Sequence, residues 1–232
     1  MRIALVGYGK MGKIIEEIAQ NRGHEIVARL NETPTVENLN NPDMAIEFSR
    51  PESAFENIKN CLNASIPVIC GTTGWLKDKT KVEDLAREKK VGFIYGSNFS
   101  LGVNLFFALN KKLAKMMSSF PKYQVQLEEI HHKEKKDAPS GTAITLAEGV
   151  IENSHFEAWK REETQGNELG IFSVRENEVP GTHSVRYQSQ VDEIEIKHTA
   201  FSRKGFALGA VIAAEWLQGK EGVFTMNDVL GL

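Results

Sequence analysis

The residues best suited to chemistry lie in one short segment, His131 to Ala143, which reads HHKEKKDAPSGTA. Histidine can donate a proton near neutral pH, and Lys135 could bind a carboxylate or supply a second proton. Ser140-Gly141-Thr142 follows Pro139 and is typical of a helix N-terminus, where backbone N–H groups bind carboxylates. The segment therefore predicts a proton donor beside a site for an anion.

Simpler interpretations exist for parts of this segment. His131 and His132 follow a predicted strand, Tyr123 to Ile130, and could be no more than its polar end, since adjacent strand side chains point to opposite faces. Both would converge on a ligand only if the strand stops there and the loop turns. Asp137 could cap or orient the loop. A solvated surface is the favoured interpretation of the remaining charged residues, which are Lys133, Glu134 and Lys136.

A metal is not expected at this segment, because no H-x-x-x-H or Cys/His spacing supports one. Cys70 precedes a glycine-rich turn and could be a dehydrogenase nucleophile. Its position at the end of a buried strand favours a structural thiol. The other cysteine, Cys61, forms no disulfide pattern with it.

A second chemical motif begins the chain, where Gly7-Tyr8-Gly9-Lys10-Met11-Gly12 forms a G-x-G-x-x-G between a predicted strand and a predicted helix. The first glycine permits the tight turn, the second lets backbone approach a pyrophosphate, and the third lets helix and strand pack closely. The motif alone is weak evidence. Its place at the start of an alternating strand–helix series predicts dinucleotide binding.

The choice between NADH and NADPH stays open. The acid that holds a ribose 2′-hydroxyl is expected at the end of the second strand. Glu32 could take that role, or Asn31 could substitute for it. Lys10 and Arg29 could instead meet a 2′-phosphate, and both could equally be ordinary surface charges.

The elements that position these motifs change character along the chain. As far as Tyr95, short apolar runs alternate with helical patterns, which predicts a doubly wound parallel sheet whose strand C-termini share one edge. Beyond about residue 102, a long helix over 103–117, the alternating run Val125, Leu127 and Ile130, and three later strand patterns predict a second α+β domain. The stretch 154–170 has no clear pattern.

Composition excludes several classes of partner. The 232 residues carry a formal net charge of −3, which gives no argument for nucleic acid or an anionic membrane. No apolar run reaches the roughly 18 residues that span a bilayer. Together with the cysteine usage, this leads us to expect a cytoplasmic protein.

At these motifs the chain resembles the bacterial 4-hydroxy-tetrahydrodipicolinate reductases, also called dihydrodipicolinate reductases, of lysine biosynthesis. The resemblance covers most of the chain, and the loop pattern H-H-x-x-K-x-D-A-P-S-G-T is its most specific part. The matching segments are Gly7 to Gly12, Phe48-Ser49-Arg50-Pro51, Gly71-Thr72-Thr73-Gly74, Asn98 to Val103, His131 to Ala143, and Ser202-Arg203 to Leu232.

The resemblance implies a role for each matching residue. His131 would be the proton donor or acceptor and Lys135 the second catalytic residue. His132, Gly141, Thr142 and Arg203 would contact the substrate, a cyclic imine with two carboxylates and a hydroxyl. The residues implied at NADH or NADPH are Gly7, Tyr8, Gly9, Lys10, Met11, Gly12, Asn31, Glu32, Gly71, Thr72, Thr73, Gly96, Ser97, Asn98 and Phe99.

The resemblance also implies an architecture. Residues 1–102 and 204–232 would form a Rossmann-type dinucleotide-binding domain, and residues 103–203 a central domain whose open mixed sheet binds substrate and builds a homotetramer. The chain departs from the family pattern at Glu47, where aspartate is usual, and over Arg175 to Pro180.

Two other functions remain open from sequence. One is a related NAD(P)-dependent amino- or imino-acid dehydrogenase. The other is a non-catalytic nucleotide-binding regulator, which should have lost the loop donors; the intact His131, His132 and Lys135 argue against it.

Overall fold

The structure is a computed structural model that describes residues 1–162, 164 and 166–232. It divides into two compact units: Met1–Leu101 with Lys204–Leu232, and Gly102–Arg203. Two residues of the stretch without a clear sequence pattern, Glu163 and Gln165, lie outside the described residues.

The first unit is built on a six-stranded parallel sheet with strand order β11-β5-β4-β3-β1-β2. Short, mostly apolar runs form these strands because both sheet faces are covered by helices. The strands are β1 Arg2–Val6, β2 Glu25–Leu30, β3 Met44–Glu47, β4 Val68–Cys70, β5 Gly92–Tyr95 and β11 Gly222–Phe224. The helices are α1 Lys10–Asn21, α2 Val36–Leu39, α3 Pro51–Asn63, α4 Lys79–Lys89, α7 Lys204–Leu217 and α8 Met226–Leu230, with a 3₁₀ turn at Leu76–Asp78.

The two faces of this sheet hold separate apolar cores. One packs β-strand residues against α3 and α4, with Ile58, Trp75 and Phe93 fully buried. The other packs them against α1 and α7. Strand order reverses on either side of β1, so the carboxyl ends of β1 and β3 flank the switch point at which open α/β sheets bind ligands. The predicted doubly wound parallel sheet is confirmed.

The second unit is a five-stranded mixed sheet, order β10-β9-β6-β8-β7, packed against two helices. Its strands are β6 Gln124–His132, β7 Ala158–Arg161, β8 Glu168–Glu176, β9 Gly181–Gln188 and β10 Glu193–Ala200, and its helices are α5 Leu101–Met117 and α6 Gly141–Ile151. β6 is parallel to β8 and antiparallel to β9, so the predicted mixed sheet is also confirmed.

Strand β6 corrects two expectations. It runs through His132, so the loop begins after both histidines and not before them. The apolar pattern places Ile130 on one face with Val125 and Leu127, but strand alternation has period two, so Ile130 lies on the opposite face. Leu127, Glu129 and His131 are the buried residues, whereas Ile130 is half-buried.

None of the helices among the described residues is both long and apolar enough to cross a membrane.

Candidate active site

The glycine motif forms a cradle between β1 and α1. Gly7 has φ +94°, and a Cβ there would lie 2.1 Å from the carbonyl oxygen of Phe48; a Cβ on Gly12 would lie 2.5 Å from that of Gly7. Gly9 has open space around its missing Cβ and is the N-cap of α1, where no described side chain makes a capping hydrogen bond. Packing therefore requires the first and third glycines, while the second leaves a helix N-terminus open to phosphate.

Side chains around the cradle are tied to one another. The amide oxygen of Asn31 accepts a hydrogen bond from the Tyr8 backbone N–H at 2.8 Å. Tyr8 donates its hydroxyl to Glu16, which also pairs with Arg29. Arg29 is thus held by Glu16, whereas Lys10, the other cation considered for a 2′-phosphate, is exposed. Met11 packs against the core that contains α1 and α7.

A cavity of about 460 Å³ opens beside this cradle at the carboxyl ends of β1, β2 and β3. Glu32 and Asn31, the two candidates for the contact with a ribose hydroxyl, both line it. Its wall also includes an arginine, Arg50, from the start of α3. The lining residues are Gly7, Gly9, Leu30, Asn31, Glu32, Thr33, Phe48, Ser49, Arg50, Ser53 and Asn57.

The Gly71-Thr72-Thr73 turn follows β4 and packs on Phe48. A Cβ on Gly71 would lie 2.2 Å from the Phe48 ring, so no larger residue fits there. Thr72 is buried, and its hydroxyl oxygen accepts the Ser49 backbone N–H at 2.7 Å. Thr73 is exposed.

The segment Gly96 to Phe99 follows β5 on the same sheet edge. Phe99 is buried, and its ring lies 6.0 Å from that of Phe48. The side-chain oxygen of Asn98 accepts the backbone N–H of Ser100 at 2.9 Å, and Ser97 is exposed. Phe99 therefore anchors this segment in the core, whereas the Ser97 side chain is exposed to solvent.

Cys70 is buried, with Sγ 3.2 Å from a carboxylate oxygen of the equally buried Glu47. Burial, followed by the charge of Glu47, raises the pKa of Cys70 well above its ordinary value. Burial also raises the pKa of Cys61 to about 12. Both thiols are therefore protonated near neutrality, as structural cysteines are.

The side chains of His131 and His132 do not point to the same face, because the strand does not end before them. Both are part of β6, where neighbouring side chains point to opposite faces. His131 is buried and His132 half-buried. The backbone N–H of His132 donates to the Val179 carbonyl at 2.8 Å, which ties the loop before β9 to the end of β6.

Sequence reasoning missed the cluster beneath His131. Glu129, two residues earlier on the same face of β6, is fully buried. Its carboxylate lies 3.4 Å from His131 Nδ1 and 3.8 Å from His183 Nε2. The available signal was the two-residue spacing of Leu127, Glu129 and His131, which places an acid on the buried face.

Burial sets the charge states of this cluster. It lowers the pKa of His183 to about 3, with the nearby His131 adding to the effect, so His183 is neutral at pH 7. Burial also lowers the pKa of His131, against the opposing charge of Glu129. For Glu129, burial alone would raise the pKa, but hydrogen bonds from Ser140 and Ser173 lower it, and the net pKa is below its ordinary value.

Lys135 is half-buried and paired with Asp137, its Nζ lying 2.8 and 2.9 Å from the two carboxylate oxygens. That contact matches the loop-orienting role considered for Asp137, whose pKa is lowered first by the Lys135 hydrogen bond. The other charged residues of the loop are exposed, as a solvated surface requires; they are Lys133, Glu134 and Lys136.

Helix α6 begins as the sequence predicted. Ser140 is its N-cap, and the Ser140 hydroxyl oxygen accepts the Ala143 backbone N–H at 3.2 Å. The N–H groups of Gly141 and Thr142 belong to the first turn and have no hydrogen-bond partner in the described part of the chain. They are available to an anion.

Arg203 is exposed, directly before α7, and makes no hydrogen bond or ion pair with the other described residues. Within the described part of the chain, neither kind of contact therefore joins Arg203 to the His131 loop.

Glu129, His131 and His183 each have one atom that could bind a metal ion. These three atoms lie within 4.8 Å of one another. The Glu129 carboxylate is already occupied, however, by hydrogen bonds from Ser140 and Ser173 and by the Arg175 guanidinium. These contacts are those of a hydrogen-bonded cluster, and the absence of a metal stays a prediction.

Comparison with known proteins identifies two family models that together match nearly the whole chain. They are the N-terminal model of dihydrodipicolinate reductase over residues 1–99 and its C-terminal model over residues 102–230. A 4-hydroxy-tetrahydrodipicolinate reductase of Christiangramia forsetii is 54% identical over 99% of this chain and 98% of its own length. A protein of the same name from Methanosarcina mazei is 35% identical over 99% of this chain and 89% of its own.

Solved structures share the fold. A dipicolinate-bound dihydrodipicolinate reductase from Paenisporosarcina sp. TG-14 matches with a TM-score of 0.77 and 22% identity, covering 97% of each chain. An amine dehydrogenase from Mycobacterium smegmatis matches with a TM-score of 0.62 and 10% identity, covering 97% of this chain and 94% of its own. Because both proteins are less than 25% identical to this chain, each likeness concerns the fold alone, and the second does not favour the amino-acid dehydrogenase alternative.

Proposed function

The chain belongs to the dihydrodipicolinate reductase family, and from this premise we propose how its residues carry out the family's reaction. It is an NAD(P)H-dependent oxidoreductase of the diaminopimelate route to lysine. The reaction converts 4-hydroxy-tetrahydrodipicolinate to tetrahydrodipicolinate with loss of water.

The observation that carries the proposal is the His131 loop. Within twelve residues it combines a buried imidazole at the end of β6, a lysine, and a helix N-terminus whose first two N–H groups have no partner among the described residues. A dianionic imine needs a proton donor and anion-binding groups. The same substrate class is bound in the Paenisporosarcina relative, whose ligand is dipicolinate.

Roles follow for the residues of the loop. His131 transfers the proton. Lys135 leaves its ion pair with Asp137 and acts as the second catalytic residue. The N–H groups of Gly141 and Thr142 hold one carboxylate. His132 and Arg203 complete the substrate contacts, as the family resemblance implies.

The first unit fits a reduced nicotinamide dinucleotide, because a Cβ at Gly7 or Gly12 would collide with backbone while Gly9 is open. The cofactor supplies the hydride. Gly7 to Gly12 would hold its pyrophosphate, and Asn31 and Glu32 lie where a ribose is expected. The turns at 71–73 and 96–99 would bound the nicotinamide. On this basis we assign dinucleotide binding to the first unit, and substrate binding and oligomerisation to the second.

A homotetramer is part of the proposal. Exposed apolar side chains on and beside the edge strand β10 support it, since long unprotected edges are rare in monomers; they are Val191, Ile194 and Phe201. Light scattering should give four times the 25.9 kDa of one chain, and a monomer would refute this part. A cytoplasmic location is also proposed, supported by two free cysteines and a reduced cofactor.

A coupled assay tests the reaction. Pyruvate, aspartate semialdehyde and the upstream synthase generate the substrate, and the loss of NADH or NADPH absorbance is followed. We expect oxidation that depends on the synthase. No oxidation of either cofactor, where a control reductase works, would overturn the proposal.

A further inference from the structure

Glu129 is the most completely buried charged group near the proposed acid. Its Oε1 accepts hydrogen bonds from Ser173 Oγ at 2.8 Å and from Arg175 Nη2 at 3.3 Å, and both oxygens lie near the Ser140 backbone N–H, at 3.0 and 3.1 Å. A carboxylate side chain is almost never fully buried unless it is paired with other groups. The donors keep it ionised and fix its orientation.

The same carboxylate touches both halves of the proposed machinery. On one side it faces Nδ1 of His131, which is buried and has no hydrogen bond within the described part of the chain; Glu129 Oε2 lies 3.4 Å from it. On the other side it binds the N–H of Ser140, the residue that caps α6. A catalytic hydrogen bond that is long without substrate often tightens when substrate binds.

We propose that Glu129 is a positioning residue that aligns the His131 imidazole with the N-terminus of α6, so that the proton donor and the carboxylate cradle act on one substrate. The inference rests on the proposed function. With Nδ1–H directed at Glu129, Nε2 is the nitrogen left to exchange a proton with substrate.

Gly181 supports this assignment from the other edge of the ring. A Cβ there would lie 3.1 Å from His131 Nε2 and 3.3 Å from Cδ2, closer than most packed atoms. Glycine therefore keeps a side chain of its own away from the Nε2 edge, while Glu129 faces the Nδ1 edge. His183, two residues after Gly181 on β9, packs edge-on against His131 with ring centroids 5.0 Å apart.

Several charged groups surround His131 in this structure. Glu129 and Asp137 stabilise its protonated form, whereas Lys135 on the loop and Arg175 on β8 disfavour it. His183 on β9 is neutral at pH 7. Removing the Glu129 charge should therefore lower the pKa of His131, and removing the Arg175 charge should raise it.

The experiment compares Glu129→Gln and Arg175→Gln in the coupled assay across pH. If protonated His131 is the acid, activity falls as pH rises through its pKa. Glu129→Gln should move this alkaline limb to lower pH and Arg175→Gln to higher pH. For Glu129→Gln, kcat should fall roughly 10-fold or more, approaching the roughly 10²–10⁴-fold loss that follows removal of a general acid or base. Binding of NADPH should not change.

Glu128→Gln is the matched control, because Glu128 is the preceding residue of β6 and points to the opposite face. We expect Glu128→Gln to change neither kcat nor the pH at which the alkaline limb falls. A Glu129→Gln enzyme with an unshifted limb, or with a limb that moves in the same direction as that of Arg175→Gln, would overturn the proposal.

Imidazole nitrogen NMR of the unaltered protein provides a second test that depends neither on a stable variant nor on activity. Neutral His131 should carry its proton on Nδ1, and a proton on Nε2 would refute the role of Glu129. If the protein shows no reductase activity, the proposed function fails on that result, and the NMR result still decides between the two arrangements of His131 and Glu129.

Discussion

At the scale of single residues, the chemistry of this protein depends on how burial changes the pKa of His131. His131 is nearly inaccessible, and burial lowers its pKa against the pull of Glu129. Glu129 therefore offsets part of the cost that burial places on the protonated imidazole, which is the form a general acid requires. The candidate acid could be identified from sequence because the HHKEKKDAPSGTA segment is local. Glu129 could not, because its significance comes from partners on β8, β9 and the start of α6, which lie 11 to 54 positions away in the chain.

Replacing His131 by glutamine should reduce kcat by roughly 10²–10⁴-fold, the usual loss for a general acid or base. The dissociation constant of NADPH, measured by fluorescence titration, should be unchanged, because the dinucleotide cradle belongs to the first unit and His131 to the second. His155→Gln is the control, since His155 is an exposed histidine of the same unit. Equal losses in turnover and cofactor binding would mean that His131 is structural.

Lys135→Ala should weaken binding of pyridine-2,6-dicarboxylate, a planar analogue of the substrate, measured by calorimetry. The physical reason is the loss of a cation that now pairs with Asp137 and would pair with a ligand carboxylate instead. Lys133→Ala removes an exposed lysine two positions earlier and should have little effect. Unchanged affinity in Lys135→Ala would reject its carboxylate role.

At the scale of elements, periodic patterns predicted most strands and helices, and the failures have definite causes. β7, within the unassigned stretch, has three exposed residues and one half-buried one, so it shows no apolar face and forms only because β8 offers an edge. β11 is three half-buried residues that pair with β5 from the far end of the chain. Neither pattern has enough local signal to be found before its partner is known.

The N-terminus of α6 is the element on which substrate binding is proposed to depend. Ser140→Ala removes the cap of the Ala143 N–H and the contact of Ser140 Oγ with His183 at 3.1 Å. Losing such a cap costs about 1 kcal/mol. We expect a lower free energy of urea unfolding together with a raised KM for the dicarboxylate substrate.

Thr35→Ala is the matched change at another helix, because Thr35 caps α2 through the Asn38 N–H at 3.2 Å. It should cost similar stability and leave KM in place. A KM shift of the same size in both variants would show that general destabilisation, and not the geometry of the α6 N-terminus, is responsible.

At the scale of the whole molecule, two units with separate cores divide the work that the proposed reaction requires. The first has a sheet whose switch point is lined by glycines and leaves a cavity. The second has a sheet that holds a buried acid and two buried histidines, with a half-buried arginine paired to the acid. The parallel sheet carries one buried carboxylate, Glu47, at the end of β3, whereas the mixed sheet carries a buried cluster that includes a histidine whose pKa burial lowers strongly. That difference predicts which unit is sensitive to acid.

The buried His183 should make the protein less stable as pH falls. Its folded pKa is about 3, against about 6.5 when unfolded, so the unfolded chain binds the proton more readily. Stability is therefore fully present above about pH 6.5 and declines below it by up to about 1.4 kcal/mol per pH unit. Urea unfolding followed by circular dichroism at pH 7 and pH 5 should differ by about 2 kcal/mol from this group alone. His183→Gln should flatten the dependence, whereas the exposed His155→Gln should not, and an equally steep His183→Gln profile would assign the acid sensitivity to other groups.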